Sequence, residues 1–123
     1  MSTADDAETL ARILVENPTL AAQVTRDGAW FDAQLVEEFR RAMAFLEVAP
    51  RRKTVNFRTT CYDWKHVAEA WTQRRGGTGY YISEVSFIAA CIAKCLLVKR
   101  DEAGRAYTNL ASRGIDISRA PGH

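Results

Sequence analysis

Tyr80–Arg100, YYISEVSFIAACIAKCLLVKR, follows a glycine-rich break and reads as a helix running into a strand. Ser83 is a good N-cap, since its hydroxyl can accept from an N–H of the first helical turn. Phe87, Ile88, Cys91, Ile92 and Cys95 then recur at helical spacing and form a wide apolar face. A helix so placed in a small protein could enter the major groove of DNA, where Arg, Lys, Asn and Gln near its start read base edges. Between Ser83 and Cys95 there is no Arg, Asn or Gln, Lys94 lies at the far end, and Glu84 at the front would repel phosphates. The helix is predicted to be mainly core.

Working outward, "LLVKR" and "AYTNLA" are strand-like runs joined by "DEAG", where Gly104 supplies the positive-φ residue of a hairpin loop. Upstream, Thr60 and Asp63 offer an N-terminal cap for a helix whose Trp64, Val67, Ala68 and Trp71 share one face, and "QRRGGTG" ends it. In "RRKTVNFRT", Val55 and Phe57 alternate with Asn56 and Arg58, which predicts a short half-buried strand. A long helix over Asp32–Val48 carries Leu35, Val36, Phe39, Ala42, Met43 and Leu46 on one side and Glu37, Glu38, Arg40 and Arg41 on the other; Pro50 stops it. Two shorter helices precede it. The first starts near a cap at Thr3 and Asp6 and breaks at Pro18, and the second ends at Gly28.

This order predicts a single α+β domain over residues 1–112. Its helical N-terminal part leads into a winged-helix-like helix-turn-helix with a C-terminal β-hairpin, over about residues 51–112. Residues 113–123 are expected to form a flexible tail.

The 123 residues are 47% apolar and 26% charged, ordinary values for a soluble domain. No run approaches the roughly 18 apolar residues of a membrane span, and the acidic start lacks the apolar core of a secretory signal. A cytoplasmic protein is expected, and three cysteines make a poor disulfide framework. The net charge of +2 hides an asymmetry: residues 1–50 hold nine acidic and four basic side chains, or −5, and residues 51–123 hold six and thirteen, or +7. Such a split suggests a nucleic-acid or acidic partner. The residues suited to phosphate contact are Arg51, Arg52, Lys53, Lys99, Arg100 and Arg105.

Catalytic and cofactor chemistry finds little footing. Cys61, His66, Cys91 and Cys95 could supply four zinc ligands, but their spacing matches no usual knuckle, and cysteines on an apolar helical face serve well as small core residues. Cys61 with His66 as base and Asp63 or Glu69 as orienter would make a thiol enzyme, yet nothing marks an oxyanion hole. Gly76, Gly77 and Gly79 lack the lysine that follows a phosphate loop. No catalytic residue and no cofactor are assigned. Trp64, Trp71, Tyr80 and Tyr81 cluster around the inter-helix break beside Lys65, Arg74 and Arg75; core packing is the first reading of such a cluster, and an exposed subset would make an interface hot spot.

The segment from about Thr54 to Ala111 resembles a family of small proteins of phages and other bacterial mobile elements. The resemblance rests on Tyr-x-x-Lys-His-x-x-Glu (Tyr62, Lys65, His66, Glu69), on Tyr81-Ile82-Ser83 before Phe87-Ile88-Ala89-Ala90, and on Tyr107 and Asn109. Glu84-Val85 stand where that pattern has Asn-Gly, and "TQRRGGTG" lengthens the break. The resemblance implies a mobile-element accessory protein acting by stoichiometric binding. The function expected from it is an anti-defence inhibitor of the anti-CRISPR kind, directed at a host protein or nucleoprotein complex. The binding residues expected are Tyr62, Lys65, His66, Glu69, Arg74, Arg75, Tyr80 and Tyr81. The alternative is a nucleic-acid-binding transcriptional regulator built on the basic residues.

Overall fold

The helix quoted at the outset, α5 (Glu84–Ala93), is buried from Val85 through Cys91 without a break. In the computed structural model, which describes residues 3–26, 31–76 and 79–112, every other helix packs against it. These are α1 (Thr3–Glu16), α2 (Pro18–Arg26), α3 (Ala33–Val48) and α4 (Cys61–Arg74). A helix apolar on all sides is stable only when enclosed, and its mean composition demands such a position. Its cap is as expected, with Ser83 Oγ accepting from the Ser86 N–H. Its C-terminal end differs from expectation. Lys94 ends the helix, and Cys95 turns into the left-handed region at φ 61°, while the Leu96 N–H reaches back to the Cys91 carbonyl at 2.9 Å. That closure normally uses glycine, so a cysteine there gave no warning of it. Cys95 therefore leaves the apolar face and is exposed.

The N-terminal helices follow their patterns. Pro18 is the first residue of α2, where its missing N–H is no loss. Asp32 caps α3 by accepting from the Leu35 N–H at 3.0 Å. Asp6, proposed as part of a cap, is instead buried and paired with Arg40 of α3 at 3.0 Å. The Thr3 side chain and Gly28 lie outside the described residues.

The strands among the described residues are antiparallel, β1 (Arg51–Thr60), β2 (Val98–Arg100) and β3 (Ala106–Leu110), in the order β1-β3-β2. β1 is longer than predicted, and its register against β3 shifts between Arg51 and Asn56 and again between Asn56 and Thr60. The shifts reverse the expected alternation. Asn56 is buried and Phe57 is exposed, with Val55 between the two extremes. Asn56 tolerates burial because its Nδ2 donates to the Leu110 carbonyl at 3.1 Å and its Oδ1 accepts from the Arg58 N–H at 3.0 Å. At the hairpin turn Gly104 takes φ 86°, as anticipated.

One buried apolar cluster among the described residues runs from Leu10 to Leu110 and joins helices α1 to α5 to the sheet. Among the described residues no helix is long and apolar enough to cross a membrane. The tail over residues 113–123 lies outside the described residues.

Candidate functional site

Thr60 ends β1 and caps α4 by accepting from the Asp63 N–H at 3.1 Å, so the strand passes straight into the helix. Helical spacing then brings Tyr62, Lys65, His66 and Glu69 onto one face. Lys65 and Glu69 are only 6% and 4% exposed, and Lys65 Nζ lies 3.3 Å from Glu69 Oε2. A buried pair holds only when its remaining polar atoms are satisfied. Here the same Glu69 oxygen accepts from the Ile82 N–H at 3.0 Å, and the other, Oε1, accepts from His66 Nδ1 at 3.0 Å. A carboxylate only accepts, so that bond puts a proton on His66 Nδ1.

The lysine head also lies 5.3 Å from the Tyr62 ring centroid and 4.9 Å from that of Tyr81, within cation–π range of both. Tyr62 meets the His66 ring edge-on at 4.9 Å. Both tyrosines nonetheless remain 51% exposed. They stand beside a cleft of about 860 Å³ whose opposite walls are Gln34 and Glu38 of α3 and Gln23 and Arg26 of α2, with Ser83, Glu84 and Val85 at the start of α5. Glu38 is the counterpart of Glu69. It is buried, accepting from the Ser83 N–H at 3.1 Å and from Gln34 Nε2 at 3.0 Å. The two glutamates thus fix successive amides, Ile82 and Ser83, and with them the segment that carries Tyr81.

The structure brings together Tyr62, Lys65, His66 and Tyr81, with Glu69 beneath them. It does not bring in the other three residues expected to bind. Arg75 stacks on Trp71 at 4.5 Å beside a smaller hollow of about 330 Å³ that also takes in Glu37, Arg40 and Arg41. Arg74 is exposed at the end of α4, and Tyr80 is exposed outside the cleft lining. The aromatic cluster divides in the same way: Trp64 is fully buried, and Trp71 packs edge-on against Phe45.

Glu38 was assigned to the polar side of α3, and its burial corrects that reading. Its position three residues after Leu35 and four before Ala42 lies on the apolar stripe, so the spacing carried the signal. Gln23, Gln34 and Glu84 enter the site only through the tertiary fold.

The basic residues are spread along the sheet. Arg51 lies opposite Leu110 at one end of β3, and Arg100 lies opposite Ala106 at the other. Arg100 is exposed but donates to the Gln23 side-chain oxygen at 3.3 Å and the Gly104 carbonyl at 2.9 Å, and Arg105 is held by Asp101 at 2.8 Å. Arg52, Lys53 and Lys99 are exposed.

The four candidate zinc ligands are dispersed. Cys61 and Cys91 are fully buried, Cys95 is exposed beyond α5, and His66 is engaged by Glu69. Among the described residues no group of three or more His, Cys, Asp or Glu is arranged to hold a metal ion. The Cys61–His66 pairing does not form either. The Cys61 thiol hydrogen-bonds with Cys91, and that contact, together with burial, pushes its pKa far above the ordinary thiol range, away from the thiolate a nucleophile needs.

Comparison of the chain with protein-family models, with curated proteins and with solved structures finds no match.

Proposed function

We propose that this chain is a non-enzymatic cytoplasmic protein that acts by stoichiometric binding through the tyrosine-framed cleft, as an anti-defence inhibitor of a host nucleoprotein complex. The observation that carries the reading is the pair Tyr62 and Tyr81, half exposed yet steadied by one buried ammonium between them. Tyrosine anchors favour binding most when their rotamers are already ordered, because less conformational entropy is lost on association. The cleft beside them is lined by side chains of both signs, Glu38, Glu84, Arg26 and Lys65, of which Glu38 and Lys65 are buried, a mixed lining suited to a protein surface. The sequence resemblance to mobile-element proteins supports the anti-CRISPR-type role, and its motif residues Tyr62, Lys65, His66 and Tyr81 are those that line the cleft.

We further propose that α3, β1, α4, α5, β2 and β3 form a winged-helix-like unit, supported by that element order and by the strand order β1-β3-β2. In this unit α5 is a core helix. A regulator built on it would have to contact nucleic acid through β1 and the hairpin instead.

The test is protection of targeted phage or plasmid in cells with an active nucleic-acid-guided defence. The chain should relieve the defence in proportion to its dose, and Tyr62→Ala with Tyr81→Ala should abolish relief at equal soluble protein. Intact defence at every dose, or equal relief by the double variant, would overturn the proposal.

A further inference from the structure

The sheet has a second face that the cleft does not use. Ala106, Thr108 and Leu110 are fully buried, so alternation turns Tyr107 and Asn109 to the opposite, outer side. There Phe57 rests its ring on Tyr107 at 5.3 Å between centroids and stays 61% exposed, while Tyr107 beneath it is buried with its hydroxyl donating to Asp101 at 3.1 Å. Lys99 lies directly opposite Tyr107 in register and so shares its face, and exposed Leu97 is tied to Asn109 through its N–H at 2.8 Å. The adjoining strand β1, RRKTVNFRTT, contains four basic residues and no acidic one. Arg52 and Arg58 line a groove of about 630 Å³ beside it, together with Asn56, Ala111 and Ser112.

A large exposed ring among exposed cations, with no carboxylate on its strand, complements a polyanion whose units have flat apolar faces. We infer that this outer face binds single-stranded nucleic acid, one base stacking on Phe57 while Arg52, Arg58 and Lys99 meet the neighbouring phosphates. The bases of a duplex are stacked on each other and out of reach of such a ring. Groove reading is also closed to this fold, since α5 is buried. The inference is independent of the cleft and of its protein partner.

The experiment is fluorescence anisotropy of the whole chain with labelled DNA and RNA single strands of about 12 nucleotides, and with the matching duplex. Three phosphate contacts predict a log–log salt slope of about −2, so affinity should fall about twentyfold between about 50 and 200 mM salt. Phe57→Ala should weaken binding about tenfold, while Phe57→Tyr keeps it, since each base–aromatic stack contributes on that scale. Lys99→Glu should weaken binding and flatten the slope, and Tyr62→Ala with Tyr81→Ala should leave it unchanged. Binding of either single strand with these properties supports the inference. Absence of binding at the lowest salt, preference for the duplex, or indifference to Phe57→Ala would overturn it. So would a nuclease-resistant protein partner that depends on Phe57 while no oligonucleotide binds.

Discussion

Glu69→Ala removes the acceptor of three donors at once: the Ile82 N–H at 3.0 Å, Lys65 Nζ at 3.3 Å and His66 Nδ1 at 3.0 Å. The largest consequence falls on Lys65, left buried as an uncompensated charge, a change that destabilises by about 3–5 kcal/mol in comparable settings. An unmatched Ile82 N–H would add about 1–3 kcal/mol if it stayed dry, but water from the cleft can reach part of the vacated space, so the terms overlap. The expected total is about 4 kcal/mol, a large share of the roughly 5–15 kcal/mol by which such domains are stable. In urea, with a slope of about 2 kcal/mol per M, the midpoint should fall by about 2 M with the slope unchanged. Glu69→Gln keeps an oxygen for the Ile82 N–H but loses the charge, and should destabilise by about half as much. Combining it with Lys65→Met should destabilise by about 1–2 kcal/mol less than the two single changes summed, because the pair is coupled. A loss under about 1 kcal/mol for Glu69→Ala, or strict additivity in the cycle, would refute the account of a buried ion pair pinning the loop.

Other predictions rest on single contacts. Asn56→Ala leaves the Leu110 carbonyl and the Arg58 N–H without their side-chain partners, and should destabilise by about 2 kcal/mol in the same unfolding assay. Cys95→Gly relieves a left-handed backbone at φ 61° and should raise stability by about 1 kcal/mol, read as a higher melting temperature. Gly79→Ala would put a methyl group into the Arg41 guanidinium that donates to the Tyr81 carbonyl, so it should weaken partner binding through Tyr81; in an Arg41→Ala background that effect should vanish. At Asp101, partial burial pushes the carboxyl up, but the Arg105 N–H, the Tyr107 hydroxyl and the Arg105 guanidinium outweigh it and hold the pKa below the usual carboxylate range. Its stabilising contribution is therefore present above about pH 4 and is lost as pH falls through the lowered folded value. The stability difference between the parent and Asp101→Asn should shrink on acidification over that range, and a difference that grows would contradict the assignment.

Much of the architecture was legible because it depends on local signals. Caps at Thr60 and Ser83, the breaks at Pro18 and Pro50 and the Gly104 turn all act within a few residues, and each stands where the pattern put it. What escaped depends on tertiary partners. Asn56 and Phe57 exchanged places because shifts in the β1–β3 register override simple alternation, and no local rule announces a register shift. Cys95 left the helix face through a closure that usually advertises itself with glycine. At the candidate site, the α4 face was readable from spacing, but its division was not. Lys65 and Glu69 are inward-facing supports, and Tyr62, His66 and Tyr81 are what they present. The charge of Glu38 suggested the solvated side of α3, since carboxylates are rarely buried unless paired. The Ile82 and Ser83 amides from which Glu69 and Glu38 accept belong to the loop between α4 and α5, which sequence spacing alone does not bring near.

The most direct test of the central claim is quantitative co-purification from host cells, using the tagged chain and its Tyr62→Ala, Tyr81→Ala double variant as parallel baits. The account predicts a partner retained in fixed stoichiometric ratio by the parent and lost by the double variant, with both baits equally folded. A parent that retains no partner, or two baits that retain the same partner equally, would contradict it.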